Sequence, residues 1–522
     1  MKYTSHTNNI FYNYGLANVL FYMRNIKNKN ISYEDITFEN MLEAAKYFYN
    51  GFTTLKTDSE KRSVSNKNMT ISFKYENVHK YSGNSTNKKA NGRYLPANVI
   101  ATDKSEGVLI KLWEKLNDSK ELASGKTIKL TKSCFPLAGK YLMANSTAQN
   151  NANITCEEFL CYLITTITPF KPSFLLENNP TCIIPDFSLE DTYEWLKCFS
   201  YSFESFYNSN KIEVQLSKAG EHSNPTRNGN YIHSGKNQTI FLRDLYLISN
   251  MYELLRNNKE ELRNLLDLLL IKNERNLVFY IFNTNTCYVH KYSHHVAKLS
   301  REQSLKPILD SLLSSFRKTY LFKNNLNSIE NFKEYNMMQE MFERDIYNFS
   351  CRMDDSSLRQ INSKRILFTE ETQKLFKYYY TNLKNMKNKD IESATEIAET
   401  IRTRYKGRLY SELKNTTTSE KDLHQKVDLQ LSKYIDEFTS YVDRRVSTTD
   451  FVRMFHRFCR DSKNSTISIK NMSFIDSLLK NEIELQDAKN LIISMLRINI
   501  VKSKEDKIDK EEVDEMSTPT IE

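Results

Sequence analysis

Hydrophobic spacing organises this chain before any motif does. In "FYNYGLANVLFYMRN" (11–25), Leu16, Val19, Leu20 and Met23 recur at i, i+3, i+4 and i+7, which predicts one apolar face of a core helix. Asn13 stands where a cap is expected, and Gly15 falls in the first turn. Asn13, Asn18 and Arg24 interrupt the apolar run that a signal peptide needs, so a cytoplasmic location is expected. Further helices are predicted near 156–167, 188–206, 240–271 and 303–317. Strand-like runs stand at 180–187 ("PTCIIPDF"), 211–217 ("KIEVQLS") and 276–292.

The second half changes character. Ten of the eleven glycines lie at or before Gly235, and no proline occurs between 308 and 518. A stretch with so few breakers, rich in Leu, Ile, Lys and Glu, predicts long helices packed as a bundle. Their expected spans are 370–387, 389–413, 420–446, 449–461, 471–482 and 484–500, with Ser-x-x-Asp starts at Ser419–Asp422 and Ser447–Asp450. The fold class is therefore α+β: a mixed N-terminal domain over 1–350, then an all-α helical bundle over 365–501. The charged, aperiodic end at 502–522 reads as a disordered tail.

Composition narrows the picture. The 522 residues allow more than one core, and no run approaches the roughly 20 apolar residues that cross a bilayer. A net charge of +10 suits a polyanionic partner. The eight cysteines form no CxxC pair, and Cys156 and Cys161 lack nearby His partners, so reduced buried thiols are expected rather than structural zinc.

Catalytic signals are sparse. Walker loop, nucleophile elbow and HExxH motifs are all missing from the sequence. His290, His294 and His295 close a strand-like run, where they read as polar strand-end residues able to face phosphate rather than as metal ligands. Asp186 and Glu213 loosely match a metal-dependent nuclease pattern, but Gln215 replaces the lysine that such a site uses. Pro185-Asp186 reads better as a turn and cap for the following helix. No catalytic residue, metal or cofactor is assigned.

Binding signals are stronger. Residues 56–93 carry nine Lys/Arg against three acids, interleaved with Tyr75 and Tyr81, and include the candidate phosphate contacts Lys88, Lys89 and Arg93. The Gly- and Asn-rich loop at 217–238 offers Asn224, Arg227, Asn228 and Asn230 as short donors able to read base edges. In the helical half, Arg453, Arg457 and Arg460 share one face beyond Arg444 and Arg445. Of these, Arg445, Arg453, Arg457 and Arg460 are assigned to phosphate contact. Arg402, Arg404, Lys406 and Arg408 form a second patch.

The start "FYNYGLANVLFYM", the segment "IIPDFSLEDTYEWLK" and the proline-free helical end together resemble the large subunit of type I CRISPR Cascade complexes, closest to the I-B/Myxan-like branch. That resemblance implies a non-catalytic subunit of a crRNA-bound complex. Such a subunit recognises the protospacer-adjacent motif in target double-stranded DNA, aids strand opening and stabilises the R-loop. It works with the backbone, crRNA 5′-end and small subunits, and it recruits a helicase-nuclease or transposition module. The residues leave two alternatives open: a helical protein-interaction scaffold, and the nuclease built on Asp186 and Glu213.

Overall fold

The computed structural model describes residues 10–53, 61–66, 69–74, 122–130, 152–168, 170–176, 179–208, 240–256, 259–272, 274–282, 287–323, 329–414, 420–460 and 472–499. The chain divides into two compact units, Met1–Gln303 and Ser304–Glu522. Strands named among the described residues belong to the first unit.

The first unit runs α1 (Ile10–Phe21), α2 (Phe38–Thr53), β1 (Lys61–Asn66), β2 (Met69–Lys74), β3 (Thr127–Leu130), β4 (Ala152–Thr155), α3 (Cys156–Ile167), β5 (Ser173–Leu176), β6 (Asn179–Pro185), α4 (Leu189–Asn208), α5 (Arg243–Arg256), α6 (Glu260–Asp267), β7 (Leu277–Phe282), β8 (Cys287–Tyr292) and α7 (His295–Arg301). Strands β5 to β8 form an antiparallel sheet in sequence order, while β1–β2 and β3–β4 are separate two-stranded ribbons. The expected single strand at 276–292 is thus a hairpin pairing Leu277 with Tyr292 and Phe282 with Cys287. The run Cys182-Ile183-Ile184 in β6 is buried without alternation, the pattern of a strand covered on both faces. Helix α4 supplies part of that cover through Trp195 against Phe279 of β7, and α1 adds Phe11 against Phe282.

Helix α1 is more deeply placed than a single apolar stripe predicts. Eleven of its twelve residues are buried, because α2, α3 and α4 pack around it. It begins at Ile10, so Asn13 lies inside the helix rather than at its cap. Gly15 is required by proximity: a Cβ there would stand 2.1 Å from the carbonyl oxygen of Cys161 in α3. Polar ties fix the same contact. Thr165 Oγ1 donates to the Phe11 carbonyl, Tyr14 OH to the Phe170 carbonyl, and Thr168 Oγ1 to Asn18 Oδ1. The fully buried Lys171 donates to the Thr166 and Thr168 carbonyls at the end of α3, and burial lowers its pKa to about 8. Cys156, Cys161, Cys182 and Cys198 are buried, as expected.

The second unit comprises α8 (Leu305–Lys323), α9 (Ile329–Arg352), α10 (Asp355–Asn362), α11 (Glu370–Asn382), α12 (Asn388–Lys414), α13 (Glu420–Asp443), α14 (Thr448–Arg460), α15 (Ser473–Leu479) and α16 (Leu485–Leu496). The helical reading holds, with boundaries shifted by a few residues. Helices α8 and α9 pack here, beside α11 and α10, although all but the last two residues of their span fall in the 1–350 region read as the mixed domain. Helix α12 packs against α13, α15 and α16, and a parallel bridge between Phe368 and Ile498 ties the end of the bundle to its middle. No described helix is long and apolar enough to cross a membrane. The tail at 502–522 lies outside the described residues.

Candidate nucleic-acid interface

Helices α12 and α13 form an antiparallel pair whose outward surface carries the most coherent binding chemistry in the second unit. On α12 the inner face is set by Ile397, Ala398, Ile401 and Leu409. Arg402 shares that face. Its side chain is buried, donates to the Met495 carbonyl at 3.1 Å, and has its pKa lowered by burial to about 10. It therefore anchors α16 and leaves the patch read from the sequence. Lys406 is partly withdrawn as well, donating to Asn499 Oδ1 at 3.2 Å with Asp428 Oδ1 at 3.6 Å.

Arg408 remains exposed. It pairs with Glu412 at 2.8 Å along the helix, an exchangeable surface contact. Three residues before it on α12, Tyr405 stacks on Tyr434 of α13 with centroids 3.5 Å apart and planes 12° from parallel. Tyr410 and His424 extend the aromatic line at 5.5 Å. Desolvation raises the Tyr405 phenol and takes that of Tyr434 to about 12, so both stay neutral at physiological pH. Neutral aromatic rings beside guanidinium groups suit base stacking with phosphate neutralisation.

Gly407 sits among these residues in the interior of α12, and a Cβ built on it meets nothing within 4 Å. A helix-interior glycine costs about 0.5–1 kcal/mol relative to alanine. No contact among the described residues accounts for it. A bare helix backbone between Lys406 and Arg408 allows a partner's backbone to approach closely. Charge alone does not single out this surface: residues 402–437 hold eight Lys/Arg against six Asp/Glu. The arrangement does.

Seven residues beyond Tyr434 on the same face of α13 stands Tyr441, 49% exposed. Arg444 and Arg445 follow just past the helix end, about 15 Å from Tyr434. Buried Lys489 holds the turn by donating to the carbonyls of Asp443 and Arg445. The predicted start of α14 is present: Ser447 Oγ accepts from the Asp450 amide at 3.2 Å and donates to its carboxylate at 2.9 Å. Arg453 projects outward, 77% exposed, with Asp450 3.9 Å away. The side chains of Arg457 and Arg460, and the start Ser419, lie outside the described residues.

The other sequence candidates separate clearly. His290 faces inward, with Nδ1 3.0 Å from Asp244 Oδ2 and 3.1 Å from the hydroxyl of Tyr292, which also donates to Asp244 Oδ1 at 2.6 Å. It is a buried structural residue, not a strand-end phosphate contact. His294 and His295 lie ring to ring at 4.2 Å, and burial lowers both pKa values, that of His295 to about 4, leaving them uncharged near neutrality. Asp186 is exposed in the turn after β6, its amide donating to the Val278 carbonyl. Ser188, not Asp186, caps α4 by accepting from the Asp191 amide. Among the described residues no group of three metal-ligating side chains occurs. Glu213, the strand-like run at 211–217, Lys88, Lys89, Arg93, Asn224, Arg227, Asn228 and Asn230 lie outside the described residues.

Sequence reasoning missed Tyr405, Tyr434, Tyr441 and Gly407. The patch "IRTRYKGRLY" contained two of them, but the pairing of Tyr405 with a residue 29 positions later leaves no local signal.

The first unit is mixed, the second is helical with no proline between 308 and 518, and the α12–α13 surface combines exposed Arg408 with stacked tyrosines. The family described as CRISPR-associated protein Csp2 matches residues 10–499, and the chain belongs to that family. It is accordingly a CRISPR-associated protein of a type I system, working within a Cascade-type complex. No curated protein matches it.

Proposed function

We propose that this chain is the non-catalytic large subunit of a crRNA-guided type I Cascade complex. In this reading it recognises the protospacer-adjacent motif in duplex DNA, aids strand opening, stabilises the R-loop and recruits the helicase-nuclease or a transposition module. Pairing with the guide reads the target sequence, so the protein needs motif contacts, phosphate contacts and a path for separated strands rather than a catalytic centre. The observation that carries the reading, beside family membership, is the α12–α13 surface. Stacked Tyr405 and Tyr434, Arg408 and the open backbone at Gly407 offer stacking, charge and close approach together. Motif reading is assigned to Asn224, Arg227, Asn228 and Asn230, and phosphate contact in the first unit to Lys88, Lys89 and Arg93.

The test is co-expression with the other proteins and crRNA of its locus, followed by selection from a duplex library with a randomised flank. Complexes containing the chain should select a few flanking base pairs, and Arg227→Ala should relax that selection. Equal flank selection by complexes lacking the chain would end the proposal.

A further inference from the structure

Two arginines of the second unit share one carboxylate, and they are tied to it differently. Arg497, at the end of α16, has a side chain 2% exposed and donates through Nη2 to Asp436 Oδ1 of α13 at 2.6 Å. Its Nε and Nη1 are buried and have no hydrogen-bond partner among the described residues. Arg365, in the segment after α10, has a side chain 63% exposed and sets Nε 2.6 Å from Asp436 Oδ2. That contact is an ion pair without hydrogen-bond geometry, for Oδ2 accepts no hydrogen bond among the described residues. Arg365 also holds a left-handed backbone, φ 55°, which is unfavourable to a residue with a Cβ. Ser432 Oγ of α13 fixes it there by donating to the Arg365 carbonyl at 2.7 Å.

One oxygen and two donors thus go unused within a single cluster. A guanidinium fork meets a carboxylate best through two parallel bonds, and buried donors left unpaired are unfavourable. Arg497 can take both oxygens of Asp436 once Arg365 lets go, so the departure of Arg365 orphans no carboxylate. Charges adjacent to the cluster cancel. Lys364 pairs with Asp345 at 2.7 Å, Lys406 lies 3.6 Å from Asp428, and exposed Lys433 and Glu437 stand four residues apart on α13. The uncompensated charge is therefore one arginine, and the exposed one is able to turn to an anion. Asp436 lies two residues beyond Tyr434, a rise of about 3 Å along α13, so such an anion sits level with the stacked tyrosines. We propose that Arg365 is a releasable cation that binds a backbone phosphate of nucleic acid lying across α13, while Arg497 keeps Asp436 satisfied. This rests on the reading that the α12–α13 surface contacts nucleic acid.

The test measures affinity of the crRNA-bound complex, with the full chain in it, for target DNA from low to moderate salt. Arg365→Ala should weaken binding about fivefold at about 0.1 M salt and make the salt slope shallower by about one, for the phosphate contact removed. Its thermal midpoint should stay at the wild-type value, because Arg497 takes over Asp436. Arg365→Lys should restore the slope by returning the charge. Unchanged affinity and slope in Arg365→Ala would overturn the proposal. A lowered midpoint with affinity retained would do so too, by making Arg365 a structural partner of Asp436 alone. Reduced recovery of the chain in the complex with unchanged DNA binding would overturn it by giving Arg365 to a carboxylate of a neighbouring protein. Equal DNA affinity and salt slope for complexes with and without the wild-type chain would instead refute the nucleic-acid reading beneath it.

Discussion

Two helix-interior glycines show how differently α1 and α12 are used. Around Gly15 the chain itself fills the space where a side chain would stand, with the Cys161 carbonyl 2.1 Å from the Cβ position. A Cβ built at Gly407 meets no described residue within 4 Å beyond its own helix backbone. The same residue type, unfavourable in any helix, is explained in one place by the protein's own core and in the other by no contact among the described residues. Helix α1 is enclosed by α2, α3 and α4. Helix α12 closes only its inner face, through Ile397, Ile401, Arg402 and Leu409, and leaves outward a surface of arginines, tyrosines and bare backbone. What the contrast teaches is that a costly residue with no intramolecular partner points to an external one.

The largest effect should come from breaking the closed side. Gly15→Val sets carbon against backbone, which cannot swing aside as a side-chain end can. The expected loss is about 3 kcal/mol or more, at or above the upper end for overpacking. Thermal unfolding and limited proteolysis should show the first unit opening, and a wild-type midpoint would show that α1 and α3 are not packed this closely. On the open side, Tyr405→Ala should leave folding nearly intact while costing single-stranded nucleic-acid affinity about 1–3 kcal/mol, the worth of one stacked base. Fluorescence titration measures it, and unchanged affinity would remove the stack from the interface. Gly407→Ala sharpens the comparison because its two readouts move in opposite directions. The isolated chain should gain about 0.5–1 kcal/mol of stability from improved helix propensity. Affinity for nucleic acid should fall as the added methyl keeps the partner off the backbone.

The smallest effect is a pH dependence in the first unit. Burial, then the neighbouring charges of His294 and Lys298, lowers the pKa of His295 from 6.5 to about 4. The unfolded chain therefore binds a proton that the folded chain resists between those values. Stability is complete above about pH 6.5 and is lost as pH falls toward 4. His295→Gln should show a shallower decline in urea midpoint from pH 7 to pH 5 than the wild type. An equal decline would assign the acid sensitivity to other groups.

How much was legible beforehand follows from where the determining interactions lie. Helices α11 to α16 could be placed because breakers are missing and caps are local. Ser447 and Asp450 sit three residues apart and bond as the sequence implied. The span 156–167 for α3 was legible for the same reason: Thr155 and Glu158 close a capping box at its start. The break inside 276–292 was overlooked, although the polar residues 283–286 separate Leu277–Phe282 from Cys287–Tyr292. Nor was the all-round burial of α1, which depends on α2, α3 and α4 arriving from elsewhere in the chain.

The site was half legible. The basic character of 402–408 could be read, but the inward turn of Arg402 follows from the helix period it shares with Ala398 and Leu409. The Tyr405–Tyr434 stack exists only once α12 and α13 pair. His290 misled for a similar reason. Its carboxylate partner, Asp244, is 46 residues earlier, so the triad with Tyr292 has no spacing to recognise.

The central claim is that the open face of α12 and α13 contacts nucleic acid, and salt dependence tests it most directly. Affinity of the crRNA-bound complex for target DNA should be measured from low to moderate salt with wild-type chain and with Arg408→Glu. The account predicts weaker binding for the variant and a salt slope shallower by about one, for the phosphate contact removed. Identical slopes and affinities in a variant that folds and assembles normally would contradict it.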